Sequence, residues 1–286
     1  MVPAIFGSSV AQINVLLGGI IASMLGVGSI SFLYYSDRLM EFPLGLFGIA
    51  LATVTLPYLS RQWSNKAYDD FSVTLDWSMK LVLLIAVPAA LGLILLAEPL
   101  VATIFYGGVF TDDDVRMTAL ALQAFAIGLV GFSYVKILAP AFFAREDTKT
   151  PVKIAITAMV SNMVLNLLFV GGLLLIDFRG PHAGLALASS AAAYVNAGLL
   201  YRTLRKHGAY QPEPGWGRVS MAVITACCAM LAALYWQYGE VAGWLQAAAG
   251  ARATRLALVI GLGVVVYGVV LVVAGLRRHH LEKGAS

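Results

Sequence analysis

Charge is what this sequence has least of. Only 12 % of its 286 residues are Asp, Glu, Lys or Arg, about half the share of a soluble domain. Hydrophobic residues make up 60 %, and mean hydropathy is +0.83. A soluble globular protein is excluded, and a polytopic membrane protein takes its place. Cysteine is almost absent. Cys227 and Cys228 are neighbours inside an apolar run, poorly placed to bond to each other, and no CxxC or Cys/His spacing is present, so they read as packing residues and no metal is expected. Catalytic signatures are also missing: there is no G-x-S-x-G, no H-E-x-x-H and no P-loop. The chain is therefore not expected to be an enzyme or to carry a cofactor. Transport, if that is its work, would draw on an ion gradient, the membrane potential or the substrate's own gradient. The net charge of +4 is spread over loop ends rather than gathered on one face, which excludes a nucleic-acid footprint. No Lys or Arg precedes Arg38. No signal peptide is expected, and the first helix lacks the basic flank that usually holds an N-terminus inside. The expectation is that more chain precedes Met1.

What is there is apolar sequence in long runs. The pattern predicts an all-α helical bundle of about eight transmembrane helices, each needing about 20 residues to cross the hydrocarbon core. The spans fall near 2–27, 32–59, 79–97, 118–142, 152–176, 184–204, 219–238 and 254–276. The second is over-long, which suggests a tilt or a bend near Pro43. Pro212, Pro214 and Gly215 mark a linker, so residues 1–210 read as a six-helix lobe and 211–286 as a linker with an appended pair of helices. Basic residues set the orientation. One set of alternate ends holds Arg61, Lys66, Lys80, Arg145, Lys149, Lys153, Arg202, Arg205, Lys206, Arg218 and the basic tail, while the other holds only Arg38, Arg116, Arg179, Arg252 and Arg255. The first set is cytoplasmic, and with eight spans both termini are too. Residues 63–77 read as a helix lying on the surface or as a solvated connector. Thr111 followed by three aspartates reads as a helix N-cap with acids on the dipole rather than a Ca²⁺ loop. His182, His279 and His280 have no partner at ligand spacing.

Ser36-Asp37-Arg38-Leu39-Met40-Glu41-Phe42-Pro43 puts three charges beside the uncharged run 42–59. A charge inside hydrocarbon costs roughly 2.5–3.5 kcal/mol at a helix centre, so it needs a partner or a watery cavity. On a helix Glu41 shares a face with both Asp37 and Arg38. Two readings stay open: local pairing at the interface with snorkelling, or a cation aimed into a polar cavity to bind an anion. Ser8, Gln12, Gly19 and Ser23 form one polar stripe on the first span. Asn162 and Asn166 lie one turn apart on the fifth, and Ser189 and Asn196 share a face of the sixth. These groups either hydrogen-bond between helices or line a shared cavity. Lys136 is the cation well inside a span; it lines that cavity or snorkels to the cytoplasmic end.

Two stretches carry a family resemblance. Residues 34–43, Tyr-Tyr-Ser-Asp-Arg-Leu-Met-Glu-Phe-Pro, and residues 136–153, from Lys136-Ile137-Leu138-Ala139-Pro140 to Lys149-Thr150-Pro151-Val152-Lys153, resemble the lipid II flippases, the MurJ or MviN family of the MOP exporter superfamily. The stretch 212–216 before the last two spans matches as well. Family members have fourteen helices, in two six-helix lobes facing a cavity and an extra pair. The chain resembles the second lobe and the pair. The resemblance implies a flippase that moves lipid II, the undecaprenyl-pyrophosphate-linked peptidoglycan precursor, from the cytoplasmic to the periplasmic leaflet of the bacterial inner membrane by alternating access. Other MOP-type exporters of drugs or polysaccharide lipids, and a non-transporting membrane scaffold, are the alternatives. It implies that Arg38, tuned by Asp37 and Glu41, lines the cavity, with Ser31, Gln12 and Lys136 as further substrate-binding candidates. The appended helices would receive the polyprenyl tail. Partners would be lipid II, membrane lipids and the missing N-terminal lobe, on the same or a separate chain. Some family members bind Na⁺ between helices seven, eleven and twelve. Asn162 and Asn166 fall there as a candidate cation site, although no acid accompanies them, and Na⁺ or the membrane potential is the coupling expected.

The orientation is testable. A cysteine placed at Asp113 should react with an impermeant reagent added from the outer face, and one placed at Lys149 should not. The reverse pattern would invert the topology.

Overall fold

The structure is a computed structural model. It describes residues 2–238 and 241–275, with side chains for 12–46, 48, 51, 53–237 and 243–275. Ser8 as a side chain, and Arg277, Arg278, His279, His280 and Lys283 altogether, lie outside that range. Among the described residues eleven α-helices follow in order: α1 Val2–Ser23, α2 Ser29–Pro43, α3 Ala50–Ser64, α4 Tyr68–Leu95, α5 Ala97–Phe105, α6 Asp112–Phe143, α7 Lys149–Leu175, α8 Ala183–Lys206, α9 Trp216–Tyr238, α10 Val241–Leu245 and α11 Ala249–Val273. No strand occurs among the described residues; Gly107 and Phe110 form an isolated bridge. The chain is all-α. Among the described residues α4, α6, α7, α8, α9 and α11 are long and apolar enough to cross a membrane.

The first expected span is the helix α1, Val2–Ser23. The second takes a different form: it is α2 and α3 joined through a π-helical segment, Leu44–Ile49. Its cause is local. Pro43 has no N–H to give, and its ring crowds the carbonyl four residues back. The Leu44 N–H reaches the carbonyls of both Met40 and Glu41, and the helix widens for six residues before tightening again.

Residues 63–77 are neither a surface helix nor a connector. The turn is only 65–67, with Lys66 at φ 58°, and α4 starts at Tyr68, well before the expected 79. Asp69 and Asp70 sit in its first turn, favourable at the positive end of the helix dipole. Phe71, Leu75 and Met79 follow at i, i+4, i+8 and are buried against Leu59, Phe142 and Leu204. The mixed composition that looked amphipathic is the N-terminal end of a long helix, whose polar residues Ser72 and Asp76 are also buried. At the other end α4 stops at Leu96 and α5 continues as a separate nine-residue helix.

Helix α6 is the spine of the bundle, packed against α2, α3, α4, α5 and α8. Thr111 caps it: Asp114 N–H donates to Thr111 Oγ1 (3.3 Å), and Thr111 N–H donates to Asp114 Oδ2 (2.8 Å), a reciprocal capping box. The α6–α8 crossing is close. A Cβ on Gly128 would stand 2.6 Å from Ser190 Cα, and Ser190 Oγ donates to the Ala124 carbonyl at 2.6 Å. Small residues let the backbones meet where lipid gives no hydrophobic push.

The stretch 211–215 is irregular but tied to α4. Ser72 Oγ both donates to the Gln211 carbonyl (3.1 Å) and accepts from its N–H (2.9 Å). Buried Asp76 accepts from Tyr210 Oη (2.6 Å), Trp216 Nε1 (2.8 Å) and Glu213 N–H (3.2 Å), and pairs with Lys80 at 2.7 Å. Burial, and then the bond to Asp76, push the Tyr210 hydroxyl well above the ordinary phenol range. Beyond it α9 lays Val219, Val223 and Cys227 on Leu84. In α11, Tyr267 donates to the Leu84 carbonyl at 2.7 Å, and buried Arg252 donates to the carbonyls of Ala102 (2.9 Å) and Tyr106 (3.3 Å), at the C-terminal end of α5.

Asp76→Ala leaves Lys80 and three donors without their acceptor. It should lower stability by about 3–5 kcal/mol, read as a fall in the thermal unfolding midpoint in detergent. Adding Lys80→Met should recover part of that loss. No fall in the single variant would show that the cluster does not hold the stretch in place.

Candidate functional site

The turn before α2 passes through Gly28 at φ 91°, a left-handed conformation, and a Cβ there would sit 2.6 Å from the Phe32 ring. From Ser29 the helix then divides into two faces. Phe32, Ser36 and Met40 are buried, with Ser36 Oγ donating to the Thr118 carbonyl of α6 at 2.7 Å and to Phe32 at 2.6 Å. Ser31, Tyr34, Arg38 and Glu41 follow at steps of 3, 4 and 3 and are exposed. Helical spacing thus gathers three of the sequence-predicted site residues on one open face.

On that face Arg38 Nη1 donates to Glu41 Oε2 at 2.7 Å, and the guanidinium carbon lies 5.1 Å from the centre of the Tyr34 ring. The two side chains remain 57 % and 51 % exposed. A guanidinium carries five N–H donors in a planar fork, so one bond to a carboxylate leaves capacity for an anion on the open side. Asp37, beside this face, is half-buried. Among the described residues Arg38 pairs with Glu41 and not with Asp37. Tyr34, the platform under the fork, was not singled out in the sequence; the signal was its spacing four residues before Arg38.

The other candidates stand apart. Gln12 is exposed on α1 and has no hydrogen bond to the α2 face among the described residues. Lys136 is exposed on α6, and its stem passes Gly48 of the π segment, 3.7 Å from where a Cβ would be. Gly48 is ten residues on from Arg38, about 15 Å along a helix at 1.5 Å per residue. The two cations therefore flank the same helical rod at different depths.

Asn162 and Asn166 are buried on α7. Asn166 Nδ2 donates to Asn162 Oδ1 at 3.0 Å, and Asn162 Nδ2 points to Ser189 Oγ of α8 at 3.4 Å. Asn166 Oδ1 is buried without a donor, and so is Asn14 Oδ1 on α1, which packs against α7. Asn14 was overlooked because nothing in the local pattern of α1 distinguishes it. Among the described residues no three His, Cys, Asp or Glu side chains come together as a metal site.

The family model described as "Lipid II flippase MurJ" matches residues 1–248. A protein of Vibrio cholerae serotype O1 named "Probable lipid II flippase MurJ" is 45 % identical over 99 % of this chain and 52 % of its own length. One of the same name from Haemophilus influenzae is 46 % identical over 98 % of this chain and 55 % of its own. A solved structure titled "Lipid II flippase MurJ, inward closed conformation" superposes with TM-score 0.75 at 26 % identity, over 92 % of this chain and 51 % of that one. The chain spans about half the length of the curated relatives it matches.

Because the Arg38–Glu41 pair is exposed, it contributes little to stability. Arg38→Ala should leave the thermal midpoint of the purified chain unchanged. A marked fall would mean that Arg38 holds the lobe together.

Proposed function

The chain belongs to the lipid II flippase MurJ family, and from that membership we propose that it forms one lobe of a transporter moving lipid II from the cytoplasmic to the periplasmic leaflet of the bacterial inner membrane. The observation that carries this reading is the open face of α2. Arg38 there offers a planar fork on a membrane protein's exposed surface, braced from one side by Glu41 and Tyr34. Such a fork matches the paired oxygens of a pyrophosphate. Ser31 on the same face could donate to the same group, while Gln12 and Lys136 would meet more distant parts of a large headgroup. A second six-helix lobe, on the same longer chain or a separate one, would close the cavity from the opposite side. Rocking of the lobes would carry the site from one leaflet to the other. Both ends of the chain would face the cytoplasm, as the basic residues require. No bond is made or broken in this scheme.

Coupling belongs to the same proposal. Na⁺ takes oxygen donors, and the unpaired Asn166 Oδ1, with Asn14 Oδ1 on the neighbouring helix, is the feature that suits it. The set is neutral, so a cation there would be weakly held, and the membrane potential would supply the remaining drive.

A scaffold in which the charges only bind helices together fits less well, since the Arg38–Glu41 pair faces outward rather than into a helix contact. The family match weighs against drug or polysaccharide exporters.

Co-expression with the matching first lobe should restore lipid II transport in cells depleted of their own flippase. Arg38→Ala should abolish it, and Arg38→Lys should rescue only in part, since an ammonium is not a bidentate fork. The double change Arg38→Ala with Glu41→Ala separates binding from pairing: a folded, inactive protein supports the reading, and recovered transport refutes it. Replacing Na⁺ by K⁺ in the same assay should slow transport, and Asn166→Leu should remove that difference.

A further inference from the structure

A second feature lies on the opposite side of α6 from Lys136. Between α4, α6, α8 and the start of α9 is a cavity of about 400 Å³, in the size range of ligand pockets. Its walls include Met79, Tyr134, Tyr194, Tyr201, Pro212 and Trp216. They come from the N-terminal part of α4 and the C-terminal parts of α6 and α8, so the cavity sits at the basic ends of the helices. Its lining is mostly apolar, and two of its aromatic residues turn their polar tips to partners in the fold. Tyr194 Oη donates to the Ile127 carbonyl at 2.7 Å, and Trp216 Nε1 to Asp76 at 2.8 Å. On the α8 wall Gly198 faces open space, with nothing within 4 Å of where a Cβ would stand.

Cations stand over two of the walls. Arg205 lies 6.0 Å from the centre of the Tyr201 ring and Lys80 lies 5.6 Å from that of Trp216. Lys80 is committed to Asp76 and to the Pro214 carbonyl (3.2 Å). Arg205 is exposed and makes no ion pair among the described residues, and Arg202 and Lys206 beside it are exposed too. An apolar cavity of this size in a membrane-spanning lobe is a poor site for water, which needs polar partners. A basic rim at membrane-surface depth attracts anionic lipid headgroups.

We propose that this cavity holds one acyl chain of an anionic phospholipid of the leaflet at the basic ends, with the lipid phosphate against Arg205. The bound chain fills the space beneath Pro212 and Trp216 and so braces the connection between α8 and α9. This lipid is a resident of the fold and requires no transport, so the inference stands apart from the flippase reading.

The test uses the full chain in phosphatidylcholine vesicles doped with a phosphatidylglycerol probe carrying a photoactivatable diazirine in its acyl chain. Labelling should fall on the peptides bearing Tyr201 and Trp216. It should be lost in Gly198→Phe, which fills the cavity, and should drop in Arg205→Gln to the level given by the corresponding phosphatidylcholine probe. The thermal midpoint confirms that the Gly198→Phe variant is folded. A second measurement covers its failure to fold: on the unaltered chain, excess unlabelled phosphatidylglycerol should abolish labelling and an equal concentration of polyprenyl phosphate should not. Undiminished labelling in folded Gly198→Phe, equal labelling by the two probes, or displacement by polyprenyl phosphate would each overturn the proposal.

Discussion

The helical bundle depends on how closely α6 and α8 approach each other. In a bilayer the lipid tails are as apolar as any leucine, so helices are not driven together by burial of apolar surface. They adhere through packing and interhelical hydrogen bonds, and both need short distances. Gly128 on α6 and Ser190 on α8 bring the backbones into contact, and the Ser190 hydroxyl bonds to the Ala124 carbonyl across the gap. With α6 fixed in this way, its other sides receive α2, α3, α4 and α5. The open face of α2 is then a consequence. Once Phe32, Ser36 and Met40 have been buried, Ser31, Arg38 and Glu41 have to point outward.

Polar groups in the bundle fall into two kinds. Some are buried and spent on holding elements together: Asp76 gathers Lys80, Tyr210, Glu213 and Trp216, and Arg252 clasps the end of α5. Others are exposed and only lightly engaged, as Arg38, Glu41 and Lys136 are. The first kind would be destabilising if left unpaired. The second kind is available for a ligand. Cations in a membrane protein are sorted by this difference in burial, and residue type alone does not make it.

Much of this was legible in the sequence. Low charge and long apolar runs identify a membrane bundle because the hydrocarbon core tolerates little else. The Thr111 cap and the polar face of α2 follow from spacing within one helix. A break in the regular α-helix near Pro43 follows from proline's missing N–H, although the six-residue form of the π segment did not. The start of α4 was misread for a physical reason. Asp69, Asp70 and Asp76 lower the hydropathy of a stretch whose apolar residues Phe71 and Leu75 are fully buried, and one-dimensional averages cannot tell a paired buried carboxylate from a solvated one.

The sequence by itself determined the solvent in which this protein lives, its helical class, its family motifs and the face on which Arg38 lies, all properties set by composition or by neighbours within a turn or two. Only the tertiary structure decided that Asp76 meets Tyr210 and Trp216 more than a hundred residues away, that Lys136 and Arg38 stand at different depths, and that an aromatic cavity opens between α4, α6 and α8. Those facts depend on which helices lie side by side. Helix adjacency in a membrane is set by close fit between distant segments, and periodicity along a single chain carries no record of it.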